Sequence, residues 1–140
     1  MQTISEEKER QLRAMFGEDR FIIACGVKIE EIGQGYARAA MDVREDMLNG
    51  AQVANGGALF TLADLAFAVA ANSMSENISL TLSMQMNFLK SAKLGDHLVA
   101  QAQCLSGGGK MGSYDVTVRN QEGIMLASAQ GMSYQLHRKV

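Results

Sequence analysis

The chain has 140 residues, 47% of them hydrophobic and 20% charged, and its 13 basic and 15 acidic side chains leave a formal net charge of −2. That is chain enough for one domain with its own core, and too apolar a chain to be disordered. A near-neutral protein has no general basic field for nucleic acid. Two cysteines cannot staple a scaffold, and no Cys/His cluster has zinc spacing, so no metal is expected.

Residues 4–16 set Ile4, Leu12, Met15 and Phe16 among charges behind a capping Ser5, which predicts a short amphipathic helix within an N-terminal extension of about twenty residues. The chain opens on Gln2-Thr3 and a charged run, where a secretory signal would need an apolar one, so a cytoplasmic protein is expected. Residues 26–32 and 36–43 flank Gly33-Gln34-Gly35 and predict a β-hairpin; in its second arm Ala37, Ala39, Met41 and Val43 alternate with Tyr36, Arg38, Ala40 and Asp42. Residues 44–54 form a loop carrying the turn pair Asn49-Gly50.

At Gly56 the pattern changes. Residues 56–72 are nearly all apolar and rich in Ala and Leu, which predicts a helix buried on every side. The run is too short for a bilayer and has a carboxylate in its middle, so it is a core helix rather than a membrane span. Beyond it, Ile78, Leu80, Leu82, Met84, Met86 and Phe88 alternate with polar residues and predict a long strand with one apolar face. Strands over 97–105, 111–120 and 124–136 follow, separated by Gly107-Gly108-Gly109 and Gln121-Glu122-Gly123. Consecutive strands with short connections make an antiparallel sheet. The expected class is α+β, a long antiparallel sheet wrapped around one central buried helix, as a single domain over 1–140.

Asp64 is the most informative residue. Its helical neighbours are Phe60, Thr61, Phe67 and Ala68, and a carboxylate among them costs several kcal/mol unless it is paired or its pKa rises. It is either a catalytic group facing a cleft or an acid paired with a donor at a subunit boundary. Gly56-Gly57 opens the same helix, where backbone amides lack internal partners and carry the positive end of the dipole; the pair is a candidate oxyanion hole or simply a tight turn. Gly107–Gly109 with Lys110 is more often a hairpin turn than a phosphate cradle, His97 and His137 read as surface residues, and Cys25 and Cys104 as small core hydrophobes. The excess of basic groups over residues 90–140 suits either a phosphorylated ligand or an ordinary solvated face.

The run Met47-Leu48-Asn49-Gly50 followed by Asn55-Gly56-Gly57-Ala58-Leu59-Phe60-Thr61-Leu62-Ala63-Asp64 closely resembles the hotdog-fold thioesterases of the phenylacetate-degradation type. Met86–Lys90, Gly95–Leu98 and Gly107–Tyr114 follow that family's order and spacing, and the similarity covers roughly residues 22–135. The resemblance implies a hotdog fold and hydrolysis of an acyl-CoA thioester, with CoA as part of the substrate and no separate cofactor. It also implies a homodimer whose interface completes the site, and commonly a dimer of dimers. Carried over by position, the Gly56 amide would polarise the thioester carbonyl and Asp64 would be the nucleophile or the base activating water. Asn49 would arrange the reacting groups, Asn55 would stand beside the carbonyl, and Thr81 would position the water or the acid. Lys90 and Lys110 would meet the CoA phosphates, and Ala51, Val53, Leu65, Met84 and Met86 are candidates for the acyl pocket. Two departures stand out: Asn55 replaces the usual histidine before the two glycines, and Ser91 replaces a proline. Asparagine can donate to a carbonyl but cannot take up a proton and charge. The alternative function is therefore an acyl-CoA-binding or regulatory module with little turnover.

Overall fold

A computed structural model describes all 140 residues. Helix α1 (Glu6–Phe16) is capped by Ser5, whose side chain accepts from the Lys8 amide, and its Leu12 is wholly buried. A second short helix, α2 (Arg20–Cys25), was not expected from the sequence. Its signals are the Asp19 cap and Gly26, which ends it in the left-handed region at φ +72°. The apolar run Phe21-Ile22-Ile23 between them has no helical period over so few residues, so the punctuation is legible and the element is not.

Strands β1 (Lys28–Gly33) and β2 (Tyr36–Asp42) form the expected hairpin, with Gly35 at φ +68° in the turn. A 3-10 turn at Glu45–Met47 leads into helix α3 (Gly56–Asn72). After it come β3 (Asn77–Phe88), β4 (His97–Ser106), β5 (Met111–Arg119) and β6 (Met125–Lys139). The six strands make one sheet in the order β1-β2-β4-β5-β6-β3, every neighbouring pair antiparallel, which is the hotdog arrangement expected. Gly107–Gly109 is the loop of the β4–β5 hairpin, in keeping with the turn expected there.

Helix α3 packs on the sheet through Leu59, Leu62, Leu65, Phe67 and Val69, none more than 3% exposed. Each such side chain removed from water contributes roughly 1.5–3 kcal/mol. The expectation of burial on every side needs correction. Gly57 is exposed and Phe60, Thr61, Asp64 and Ala68 are half-buried, one stripe that the chain's own sheet leaves open. The sheet curves around the helix but ends at β3, and this stripe lies where it runs out.

The single apolar face expected of β3 is also corrected. Its pairing with β6 shifts register between Thr81 and Ser83, so alternation breaks there. Ser79 is buried and Thr81 reaches the helix, while Leu80 and Leu82 are 53% and 54% exposed. Past the bulge, Met84 and Met86 pack against the core and Phe88 lies against Gly56. One extra residue moves every later side chain to the other face.

Close packing leaves no room for a side chain where β6 crosses α3. A Cβ on Gly131 would stand 2.8 Å from Cε2 of Phe67, whose ring centre is 5.3 Å from that of Tyr114 with the two planes tilted by 51°. Gly131→Ala is expected to destabilise the protein by about 1–3 kcal/mol, the ordinary cost of overpacking. Urea unfolding of the variant against wild type measures it.

Candidate active site

The segment before α3 is held by its own backbone. The Asn55 amide donates to the Met47 carbonyl at 2.7 Å and that of Ala54 to the Ala92 carbonyl at 2.8 Å. Asn49 Oδ1 accepts from the amides of Ala51 and Val53, closing the loop in which Gln52 sits at φ 63°. The start of the helix is therefore fixed from two sides.

At that start the amides divide. Gly57 donates to the Asn55 side-chain oxygen at 2.8 Å and Ala58 to the Asn55 carbonyl at 2.9 Å, whereas Gly56 donates to nothing in the chain. The uncommitted amide opens on a hollow of about 280 Å³ walled by Asn49, Val53, Leu59, Phe88, Lys90 and Gly56 itself. Residues singled out along the sequence thus meet in space: Asn49, Gly56 and Lys90 share one hollow, and Asn55 caps the helix at its rim. Leu65 is turned into the core at 3% exposure and does not line it.

Asp64 and Thr81 form a second group. Thr81 Oγ1 donates to Asp64 Oδ1 at 2.9 Å, and no cation pairs with the carboxylate. Burial pushes the Asp64 pKa above the usual carboxylate value, the Thr81 hydrogen bond pulls it down, and the nearby charge of Asp19 raises it further. The carboxylate's second oxygen has no partner in the chain, leaving it able to accept a proton or attack.

The two groups lie apart. Asp64 is eight residues along α3 from Gly56, about 12 Å of rise. Lys110 is farther still. Met111 is level with Leu80 through Tyr134, and Lys90 lies beyond Phe88, so the two lysines are separated by more than roughly 26 Å of strand. Lys110 sits instead over the Tyr134 ring, 5.1 Å from its centre. His97 holds Asp42 at 2.7 Å on the surface, and His137 is exposed. The sheet's outer face carries broader depressions of about 300 and 400 Å³, walled by Gln85, Ser113, Gln130 and Asp115, whose Oδ1 already accepts from Gln130; neither Asp64 nor Gly56 lines them. No helix is long and apolar enough to cross a membrane.

A half-buried carboxylate beside a hydroxyl, and a free amide at the N-terminus of the same buried helix, are the parts of a site for acyl transfer. In agreement with that, the Thioesterase superfamily model matches residues 51–127, and the chain belongs to this family. Among individual proteins, it is 35% identical over 133 residues to the acyl-coenzyme A thioesterase PaaI of Escherichia coli, a match covering 95% of this chain and 94% of that one. The solved structure of E. coli PaaI superposes with a TM-score of 0.93 at 34% identity, covering 98% of this chain and 99% of the other. A Streptococcus mutans protein solved with acetyl CoA superposes at 0.76 with 29% identity, over 81% and 91% of the two chains.

A raised carboxylate pKa has a consequence for stability. The folded state holds its proton more tightly than the unfolded chain, so stability falls as pH rises from the unfolded carboxylate value through the folded one. Below that window the charge is absent and costs nothing. Asp64→Asn is expected to melt above wild type at pH 7, with the gap closing as pH falls toward 4; thermal melts across that range check the sign.

Proposed function

We propose that this protein hydrolyses acyl-CoA thioesters to the free acid and CoA. What supports this most is the pairing on one helix of an unpartnered amide at Gly56 with an unpaired, half-buried carboxylate at Asp64. The thioester carbonyl lies against the Gly56 amide, which holds the negative charge developing on oxygen as the carbonyl carbon is attacked. Asp64 takes the proton of the attacking water, or attacks directly and forms an anhydride that water then cleaves. The thiolate of CoA leaves and is protonated. A carboxylate made more basic by burial is better suited to accept that proton at neutral pH. Thr81 orients it, Asn49 shapes the hollow, and the Asn55 side-chain nitrogen, left over from capping, is available to the carbonyl. Lys90 stands at the mouth for the CoA phosphates. No metal or further cofactor enters these steps. The names of the relatives agree with the substrate: one is an acyl-coenzyme A thioesterase and another was solved with acetyl CoA.

Attack and polarisation must act on one carbonyl with reacting atoms about 3–3.5 Å apart, which a separation of about 12 Å along one helix forbids. A second copy of the chain resolves this. Strand β3 is a long edge with Leu80 and Leu82 uncovered, a liability unless paired. Asn72 already fills the backbone groups of Ser79, so the free edge runs over residues 80–88. An antiparallel pairing about its middle, near Met84 and Gln85, sets Thr81 opposite the partner's Phe88, and so brings Asp64 toward the partner's Gly56. Two equivalent sites result, one on each side of the two-fold. Lys110 reaches a phosphate only if such a neighbour carries it there, and a dimer of such dimers is the expected assembly, in the cytoplasm.

Asp64→Asn is expected to lose about 10²–10⁴ in turnover of acyl-CoAs, followed by release of the CoA thiol; unchanged hydrolysis overturns the assignment. Wild type that binds acyl-CoA tightly without cleaving it supports the binding-module alternative instead. The shared site has its own test. Gly56→Pro deletes the amide at the first helical position, which tolerates proline. Gly56→Pro and Asp64→Asn chains, each inactive alone, are expected to regain roughly a quarter of wild-type activity when co-refolded in equal amounts, because one site in half of the dimers is then intact.

A further inference from the structure

The carboxamide of Asn72, at the far end of α3 from Gly56, is 1% exposed and fully used. Its oxygen accepts from the Ser79 amide at 2.9 Å, and its nitrogen donates to the Ser79 carbonyl at 3.0 Å and to the Ala68 carbonyl at 2.8 Å. It therefore grips both backbone groups of a single strand residue as a neighbouring strand would. Ser79 is itself buried and lies two residues before Thr81, on the same side of β3 and ahead of the bulge. Asn72 lies two helical turns after Asp64 on the same face, with Ala68 between. Helix and strand are thus tied at two neighbouring points, one backbone clamp and one side-chain hydrogen bond, and β3 has no strand on its outer edge to hold its register there.

From this geometry we infer that Asn72 is a positioning residue for the reaction: by clamping Ser79 it sets the height of β3 against α3 and so keeps the Thr81 hydroxyl on Asp64. A packing role alone would be served by Leu or Ala, as elsewhere on this helix. A buried amide that bonds both backbone groups of one strand residue, and anchors its remaining N–H on its own helix, instead specifies register. This role rests on Asp64 acting as proposed above. Without the clamp the stretch of β3 ahead of residue 80, which lies outside the edge proposed to pair with a second copy, is paired in the sheet only with β6 and can shift against α3. Asp64 then loses the hydrogen bond that opposes its desolvation and keeps only the burial and the Asp19 charge, both of which favour the protonated form.

The test compares Asn72→Ala, Thr81→Val, their double variant and Asp64→Ala in the full chain, measuring kcat and KM for an acyl-CoA from pH 5 to 9. Asn72→Ala is expected to lower kcat ~10- to 100-fold with KM within about threefold, the pattern of a lost transition-state interaction. It is also expected to move the acidic limb of the profile to higher pH, as Thr81→Val does, and the double variant is expected to lose no more than the worse single one. An unmoved limb, or losses that multiply, overturns the inference and leaves Asn72 a packing residue. If Asn72→Ala does not fold, Asn72→Asp carries the same expectation: it has the same shape and keeps the oxygen facing the Ser79 amide, but sets an oxygen against two carbonyls. Full activity in Asp64→Ala removes the catalytic assignment itself, whereas an inactive Asp64→Ala with an unmoved Asn72→Ala limb removes only the role of Asn72.

Discussion

A carboxylate on an otherwise oily helix survives here because the sheet stops one strand short of enclosing it. Helix α3 is covered on all but one stripe, and Asp64 lies on that stripe, desolvated enough for its proton affinity to rise and open enough to stay ionisable. Thr81 supplies the counterweight, a hydrogen bond to the charged form. Were the sheet to extend one strand farther within the same chain, the stripe would close and the acid would have to be neutral or replaced. The raised proton affinity of Asp64 thus follows from the topology, in which β3 returns to the open edge of the sheet instead of ending inside it.

The other end of the helix shows the same economy. An α-helix begins with amides that have no internal partner, and Asn55 satisfies two of them, one with its side chain and one with its carbonyl. The Gly56 amide is the one left over. Its neighbourhood is tight: a Cβ at this position would stand 3.2 Å from the Phe88 ring. Asn55 caps the helix at any pH, since Oδ1 is always an acceptor, but unlike a histidine it cannot carry positive charge beside a developing oxyanion.

Much of this was legible in the sequence. The period of two in β2, the apolar run from Gly56 and the glycine punctuation gave the right elements in the right order, because each depends on local chemistry. Asp64 stood out because a charge in an apolar helical run has few inexpensive explanations. The uncovered stripe and the inversion of β3 were not legible. The alternation from Ile78 to Phe88 is unbroken on paper, and only the pairing with β6 reveals the residue inserted between Thr81 and Ser83. Asn72 escaped notice for a related reason. A single amide at the end of an apolar helix reads as a helix terminus, and its meaning depends on a strand that the sequence alone cannot lay beside it. Lys110, which only the family resemblance set beside the CoA phosphates, stands over the Tyr134 ring at the opposite end of the strands from Lys90, a separation that the sequence does not show.

The geometry of one chain also limits which chemistry a lone copy can perform. Its acid and its free amide are fixed to the same rigid helix, so no loop movement or side-chain rotation can close a gap of about 12 Å between them. The gap closes only if each group serves a different carbonyl, the partner group for each coming from outside. In the dimer proposed above, an uncovered edge strand whose middle lies between the residue touching Asp64 and the residue touching Gly56 supplies that second group by symmetry. With that pairing, the bulge and the backbone clamp beside Thr81 also determine where a second copy docks. If the proposed site and dimer hold, a change that shifts β3 along the helix disturbs catalysis and assembly together rather than one alone.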